Sequence, residues 1–161
     1  MVVTEQSKRQ LLEEVALAYD WLDRQIVANG ERLEACRACG ACCDFEKFDH
    51  RLFLTSPEVI YLTSKLGPEN VQPAGGSGCP YQKDGKCTIY ENRFAGCRIF
   101  FCKADKDFQS RLSEQAVARF KQICDRFDIP YRYTELHVAL GAKPTNTCPP
   151  AQRHSPESIA D

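Results

Sequence analysis

Hydrophobic residues recur every three or four positions in two long stretches of the chain. The first stretch runs from about Ser7 to Glu34, and the second from about Asp107 to Phe127. This spacing places the apolar side chains on one face of a helix and leaves the opposite face polar. The predicted apolar faces are Leu11, Val15, Ala18, Leu22 and Ile26 in the first helix, and Phe108, Leu112, Ala116, Phe120, Ile123 and Phe127 in the second. Pro130 is expected to end the second helix.

Shorter patterns between the two stretches predict one strand and one further helix. Residues 51–54 form a predicted short strand or extended segment. Thr55-Ser56-Pro57-Glu58 has the hydroxyl, the first-turn proline and the early acid that are typical of a helix start. The helix would run from Glu58 to Leu66, bury Val59, Leu62 and Leu66, and end at Gly67-Pro68.

The pattern as a whole predicts a mainly α protein with a single domain over residues 1–143. An N-terminal helix would occupy 1–34, a cysteine-cluster region 35–105 and C-terminal helices 106–142. The last of these would run from Tyr133 to Leu140 and end at Gly141. The fold class is therefore two long helices and shorter ones around a small, irregular, metal-nucleated region that includes a short β-hairpin. The proline-rich, polar tail, 144–161, is predicted to be mobile.

The hairpin is predicted around Lys83-Asp84-Gly85-Lys86. A two-residue turn would pair Gln82 with Cys87 and place Cys79 and Cys87 on opposite faces. A three-residue loop with a bulge would pair Tyr81 with Cys87 and place both thiols on one face. The second register is the one we expect.

Composition narrows the classes of partner. The chain has 161 residues, 43% of them hydrophobic and 27% charged, with a formal net charge of −1. This balance provides no general attraction for nucleic acid or an anionic membrane. The first nine residues lack a signal-like apolar run, and no stretch has the roughly 18–20 apolar residues that span a bilayer. We expect a cytoplasmic protein, where stable disulfides are disfavoured.

Cysteine is the residue that points to chemistry. Ten are present, and eight of them lie within 67 positions: Cys36, Cys39, Cys42, Cys43, Cys79, Cys87, Cys97 and Cys102. Thiols at this density are expected to bind a metal ion or cluster. The first three match the start of a bacterial iron–sulfur motif, whose next cysteine would fall where this chain has Glu46. The second group, or Cys79 in particular, would then complete the site.

Zinc is the alternative, because eight thiolates could close two tetrahedral sites. Adjacent side chains diverge, so Cys42 and Cys43 are expected to play different roles. An even number of cysteines also fits a secreted disulfide scaffold, which the missing signal sequence disfavours. His50 is a weaker candidate ligand, and Cys124 is expected to be a small buried hydrophobe.

Basic residues surround the second cysteine group. Residues 79–106 carry six bases against three acids. Positive side chains near thiolates lower their pKa values and offset the ligand charge. Arg37, Arg93 and Arg98 are the candidate cofactor-binding residues, as donors to cysteine sulfurs or carbonyls around the metal; ordinary surface salt bridges are the alternative.

Three stretches resemble the CxxCxxCC, or YkgJ-type, cysteine-cluster family of zinc- or iron-chelating proteins. They are Cys36-Arg-Ala-Cys-Gly-Ala-Cys-Cys43, Leu54-Thr-Ser-Pro-Glu58, and the segment from Cys79-Pro through Cys87-Thr-Ile-Tyr90 to Cys97-Arg-Ile-Phe-Phe-Cys102. Phe94 and Phe101 replace prolines that are usual in the family. The resemblance implies that all eight cysteines are metal ligands, for an iron–sulfur cluster of the 4Fe-4S type or for zinc.

Three functions follow from these patterns. The first is a metal-chelating protein in electron transfer, metal handling or sensing, with a protein redox partner. The second is a structural or interaction module stapled by zinc. The third is a cluster-dependent enzyme or enzyme accessory, since flagellin lysine-N-methylases contain a related cysteine region. The chain shows no glycine-rich nucleotide motif and no convincing nucleophile–base pair, so no catalytic residue is assigned.

Overall fold

The computed structural model describes residues 4–29, 39–48, 51–74, 78–100 and 105–141. Within these ranges the chain is mainly helical. The helices are α1 (Glu5–Ala28), α2 (Phe45–Phe48), α3 (Ser56–Leu66), α4 (Ala95–Ile99), α5 (Lys106–Arg126) and α6 (Leu136–Gly141). The strands are β1 (Phe53–Thr55), β2 (Gln82–Lys83), β3 (Lys86–Cys87) and β4 (Tyr133–Glu135). This architecture confirms the mainly α prediction, whereas the predicted mobile tail lies outside the described residues.

The first predicted helix is confirmed as α1. Thr4 caps its N-terminus by accepting a hydrogen bond from the Ser7 amide at 3.1 Å. The predicted apolar face is buried, together with Tyr19. The helix ends at Ala28, and the predicted extension to Glu34 lies beyond the described part of this segment.

The second long helix is confirmed as α5, and it packs against α1. Asp105 caps it by accepting from the Phe108 amide at 2.7 Å. The rings of Tyr19 and Phe120 meet edge to face with their centroids 5.8 Å apart. The helix ends at Arg126, four residues before Pro130, because Asp128 turns the chain with a φ of 52°.

Helix α3 ends at Leu66 as the sequence predicts but begins at Ser56, two residues before the predicted first residue Glu58. Pro57 lies in its first turn, and Gly67, with a φ of 83°, follows its last residue. Leu62 is buried as expected, while Val59 and Leu66 are only partly buried. The unexpected feature is Glu58, which is 2% exposed. We call α1, α3 and α5 the helical body.

A two-stranded sheet joins two distant parts of the chain. Strand β1 pairs antiparallel with β4, with Leu54 opposite Thr134. The prediction of a helix from Tyr133 was therefore wrong for three residues, and α6 begins only at Leu136. The Leu136 amide donates to the Leu52 carbonyl at 2.7 Å, so a partner some 80 residues away decides the local structure.

The predicted hairpin is present, but in the other register. Gln82 pairs with Cys87, and Asp84 and Gly85 form a two-residue turn with φ values of 51° and 72°. Two positive φ values are the signature of a tight hairpin turn that suits an Asp-Gly pair. The expected three-residue loop was therefore wrong. Cys79 nevertheless packs on the same apolar cluster as Cys87, because it precedes the strand in a turn and does not follow strand alternation.

In the part of the chain that the structure describes, no helix is both long and apolar enough to cross a membrane.

Candidate metal centre

Backbone hydrogen bonds bring two cysteine-bearing loops together. The Cys79 amide donates to the Cys43 carbonyl at 2.9 Å, and Asp44 forms an antiparallel bridge with Gly78. Gly40 turns the first loop with a φ of 68°, and a Cβ there would lie 2.8 Å from the Cγ of Gln82. The loop therefore sits directly against the hairpin. We call residues 39–48 and 78–100 together the cysteine region.

Three thiols influence one another across this contact. A hydrogen-bonding interaction with Cys42 lowers the pKa of Cys43, but the interaction with Cys79, burial and the charges of Cys79 and Cys87 raise it to about 12. The pKa of Cys42 is also raised, chiefly by its interaction with the Cys43 thiol and then by burial.

Helix α4 adds a further thiol. Burial raises the pKa of Cys97 first, and the charges of Cys42, Cys43 and Cys87 raise it further. These thiols are therefore within electrostatic reach of one another. The structure thus gathers five predicted ligands from three chain segments: Cys42, Cys43, Cys79, Cys87 and Cys97.

The structure does not place the other predicted ligands among these thiols. Cys39 is exposed at the start of the first loop, with its carbonyl oxygen 3.9 Å from a Cβ placed on Gly85. Cys36 and Cys102 lie outside the described residues, as does His50. Across the ranges that the structure describes, no three Cys, His, Asp or Glu side chains are already arranged as a metal site.

The donor set fits a soft or borderline metal. Thiolates are the ligands that zinc and iron–sulfur clusters prefer. Without a cation, neighbouring thiolates repel one another, and the raised pKa values of Cys42, Cys43 and Cys97 express this repulsion together with burial. A bound cation would remove the penalty, because it replaces the thiol protons. When bound, an iron–sulfur cluster would supply one-electron redox chemistry, and zinc would supply a structural cross-link.

The predicted arginines separate into two groups. Arg93 is buried, stacks 4.2 Å from the centroid of the Tyr90 ring, and its charge acts to lower the pKa of Cys42. It therefore lies on the thiol side. Arg98 faces the helical body, where its guanidinium binds the Asp23 carboxylate at 2.8 Å and covers the Tyr19 ring at 4.5 Å. Arg37 lies outside the described residues.

Arg98 connects the cysteine region to the helical body. Besides Asp23 it donates to the backbone carbonyls of Glu91 and Arg93, at 2.9 and 3.1 Å. A planar guanidinium can satisfy several acceptors at fixed angles, which a lysine cannot. The salt bridge that the sequence offered as the alternative role of Arg98 is thus present. It is buried, and the same guanidinium also donates to two backbone carbonyls.

Two buried residues outside the thiol group follow the sequence prediction or add to it. Cys124 is 1% exposed within α5, and burial raises its pKa to about 11, so it resembles a small core residue. Glu58 is a feature that the sequence did not single out beyond its place at the start of α3. The signal was present, because Thr55-x-x-Glu58 is a capping-box pattern.

The fold and the thiols together define a cysteine-rich, mainly helical protein. The family model "CxxCxxCC: Putative zinc- or iron-chelating domain" matches residues 35–125, which is more than half of the chain, and the chain belongs to this family. The match includes the predicted ligands from Cys36 to Cys102. No significant match is found among curated proteins or among solved structures.

Proposed function

We propose that the protein binds an iron–sulfur cluster through its eight grouped cysteines and uses it in electron transfer, metal handling or sensing. The observation that carries the proposal is the gathering of thiols from the first loop, the hairpin and α4. The family description supports chelation of zinc or iron. The choice of a 4Fe-4S cluster extends that description on the basis of the C-x2-C-x2-C spacing.

A zinc ion and a 4Fe-4S cluster each take four cysteine ligands, so the spacing of the first-loop cysteines, and not their number, supports a cluster. Cys42, Cys43, Cys79, Cys87 and Cys97 interact electrostatically across three chain segments. Cys42 and Cys43 are adjacent in sequence, and the thiol of each shifts the pKa of the other. That Cys42 and Cys43 play different roles stays a prediction.

The structural alternative is a zinc staple. It is supported by the packing of Cys79, Cys87 and Cys97 against one apolar cluster, which includes Leu54, Leu62, Tyr81, Phe94 and Leu136. A metal there would fasten the hairpin and α4 to the rest of the fold without any further chemistry.

Anaerobic purification followed by visible absorption, metal analysis and acid-labile sulfide analysis separates the two proposals. A brown protein with iron and sulfide supports the cluster. A colourless protein with stoichiometric zinc overturns it in favour of the staple. A protein that retains neither, even after reconstitution with iron and sulfide or with zinc, contradicts metal binding altogether.

Matched serine variants test which thiols are ligands. Cys79→Ser should lower the metal content or change the absorption spectrum, because the Cys79 thiol interacts with that of Cys43. Cys124→Ser is the control, since its thiol is enclosed in α5 and is expected to leave metal content unchanged. Equal metal loss in both variants would contradict the assignment.

A further inference from the structure

The stretch Leu54-Thr-Ser-Pro-Glu58 contains no cysteine, yet it accompanies the cysteines in sequence and Glu58 lies deep in the fold. The carboxylate is 2% exposed. A charge buried this fully is expected only where several donors satisfy it. Its surroundings therefore show what it holds in place.

The two oxygens of Glu58 face different parts of the structure. Oε2 accepts from the amide and the hydroxyl of Thr55, at 2.9 and 2.7 Å, which is the local bond expected at a helix start. Oε1 accepts from the Ala95 amide at 2.8 Å, and the Tyr19 hydroxyl lies 3.5 Å away. Oε2 thus caps α3, and Oε1 connects α3 to α4 and α1.

The Ala95 contact bears directly on a predicted metal ligand. Ala95 is the first residue of α4, and Cys97 follows it by two positions within the same short helix. Gly96 adds a second constraint, because a Cβ there would lie 2.6 Å from the Cδ1 of Leu52. The position of α4 is therefore defined by a buried hydrogen bond on one side and by a close approach to Leu52 on the other.

We infer that Glu58 is a positioning residue for the metal centre, which holds α4 through the Ala95 amide and so sets the place of the Cys97 thiol. This inference rests on the proposed function for the role of Cys97 as a ligand. The placement of Cys97 itself can be tested without metal. It also gives Glu58, in the cysteine-free part of the motif, a physical purpose, because the Thr55 amide holds the carboxylate that α4 needs.

The test compares Glu58→Gln with Thr55→Val in the full chain. Glutamine keeps the size of the side chain but has one acceptor oxygen, so it cannot accept from both Thr55 and Ala95. Thr55→Val removes only the hydroxyl donor and leaves the Ala95 bond intact. The first readout is the rate at which a small alkylating reagent modifies Cys97 in metal-free protein, measured by peptide mass spectrometry, with buried Cys124 as the internal reference.

Glu58→Gln should raise the Cys97 rate, relative to Cys124, about 10-fold, and should weaken Zn²⁺ binding by a similar factor of about 10, the lower end of the effect of losing a residue that orients a ligand. Thr55→Val should leave both quantities close to wild type. An unchanged Cys97 rate in Glu58→Gln, or an equal rise in Thr55→Val, would overturn the inference.

Ala95→Pro provides a reciprocal variant if Glu58→Gln does not fold. Proline is tolerated at the first position of a helix and lacks the N–H that Glu58 accepts, and Phe94 already has the extended backbone that precedes proline. It should expose Cys97 in the same way, and a wild-type rate would count against the inference. If the wild-type chain binds no metal, the proposed function fails, while the alkylation rates still decide whether Glu58 places Cys97.

Discussion

The helical body and the cysteine region are held together by different physics. In the helical body, Val15, Leu22 and Ile26 of α1 are completely buried and Phe120 of α5 is 1% exposed. Burial of this kind stabilises by about 25 cal/mol per Å² of apolar surface and needs no ligand. The cysteine region is organised by short strands, turns and neighbouring thiols. Its helices and strands are too short to be stable alone, so it depends on what surrounds it.

This contrast teaches that one chain can combine an apolar core that is stable by itself with short elements that depend on their surroundings. Side chains that hydrogen bond across the boundary between the regions include Arg98, Glu58 and Gln109 of α5, which donates to the Ile99 carbonyl at 2.9 Å. Arg98 reaches from α4 to Asp23 of α1, and Glu58 reaches from α3 to Ala95. Changes confined to one region should therefore leave the other intact, whereas changes at the crossing groups should affect both.

Metal removal should have the largest effect and should fall on one region. A structural metal contributes on the order of 10 kcal/mol, so amides of the cysteine region should exchange much faster in metal-free protein. Residues 106–126 of α5 should keep their protection, because their burial is apolar. Hydrogen exchange read by mass spectrometry, with and without a chelator, measures this. Simultaneous loss of protection in both regions would contradict the division.

Phe120→Ala should have the next largest effect, in the opposite region. Removing a fully buried aromatic side chain costs about 3–5 kcal/mol of unfolding free energy. Urea unfolding of metal-free protein, followed by circular dichroism, measures the loss. Metal stoichiometry of the folded variant should stay at the wild-type value.

The control for Phe120→Ala is Leu17→Ala, since Leu17 is 54% exposed on α1. It should change stability by no more than about 0.5 kcal/mol. A comparable loss in the two variants would show that the α1–α5 core is not the main source of stability.

Arg98→Lys should have an intermediate effect on both regions. Lysine keeps the charge but cannot satisfy Asp23 and two backbone carbonyls at once, so about 2 kcal/mol should be lost. Metal affinity should fall as well, because Arg98 follows Cys97 directly. Unfolding and metal competition should be measured on the same preparation.

Arg126→Lys is the matched control for Arg98→Lys. Arg126 forms its ion pair with Glu14 at the surface, where such pairs contribute about 0–1 kcal/mol. An equal loss of unfolding free energy in the two variants would show that the buried bonds of Arg98 stabilise the fold no more than a surface ion pair does.

Gly85→Ala should have the smallest effect on stability but a selective effect on metal binding. Alanine at a φ of 72° is strained by about 1–2 kcal/mol, and the strain falls on the turn that precedes Cys87. Metal affinity should decrease. Gly67→Ala has a similar φ of 83° but lies at the end of α3, so it should lower stability without changing metal affinity. Equal effects on metal binding would erase the distinction between the regions.

The sequence alone determined the two long helices, because their apolar residues repeat at a local period. The stripe from Leu11 to Ile26 and the stripe from Leu112 to Ile123 were both found and both are buried. The capping box of Thr55 and Glu58 and the end of α3 at Gly67 also depend only on residues close in sequence. The cysteine spacing also indicated metal binding, which agrees with the family to which the chain belongs.

Only the tertiary structure decided what depends on contacts between distant residues. The β1–β4 pairing turned Tyr133 from a predicted helix into a strand, since its partner is Thr55. The hairpin turn placed Cys87 opposite Gln82, while a preceding turn kept Cys79 near the other thiols. The sequence predicted Glu58 only as part of a helix start, and the structure shows that its second oxygen accepts a hydrogen bond from the Ala95 amide. Local periodicity cannot report such contacts, because long-range packing and not the neighbouring residues supplies their free energy.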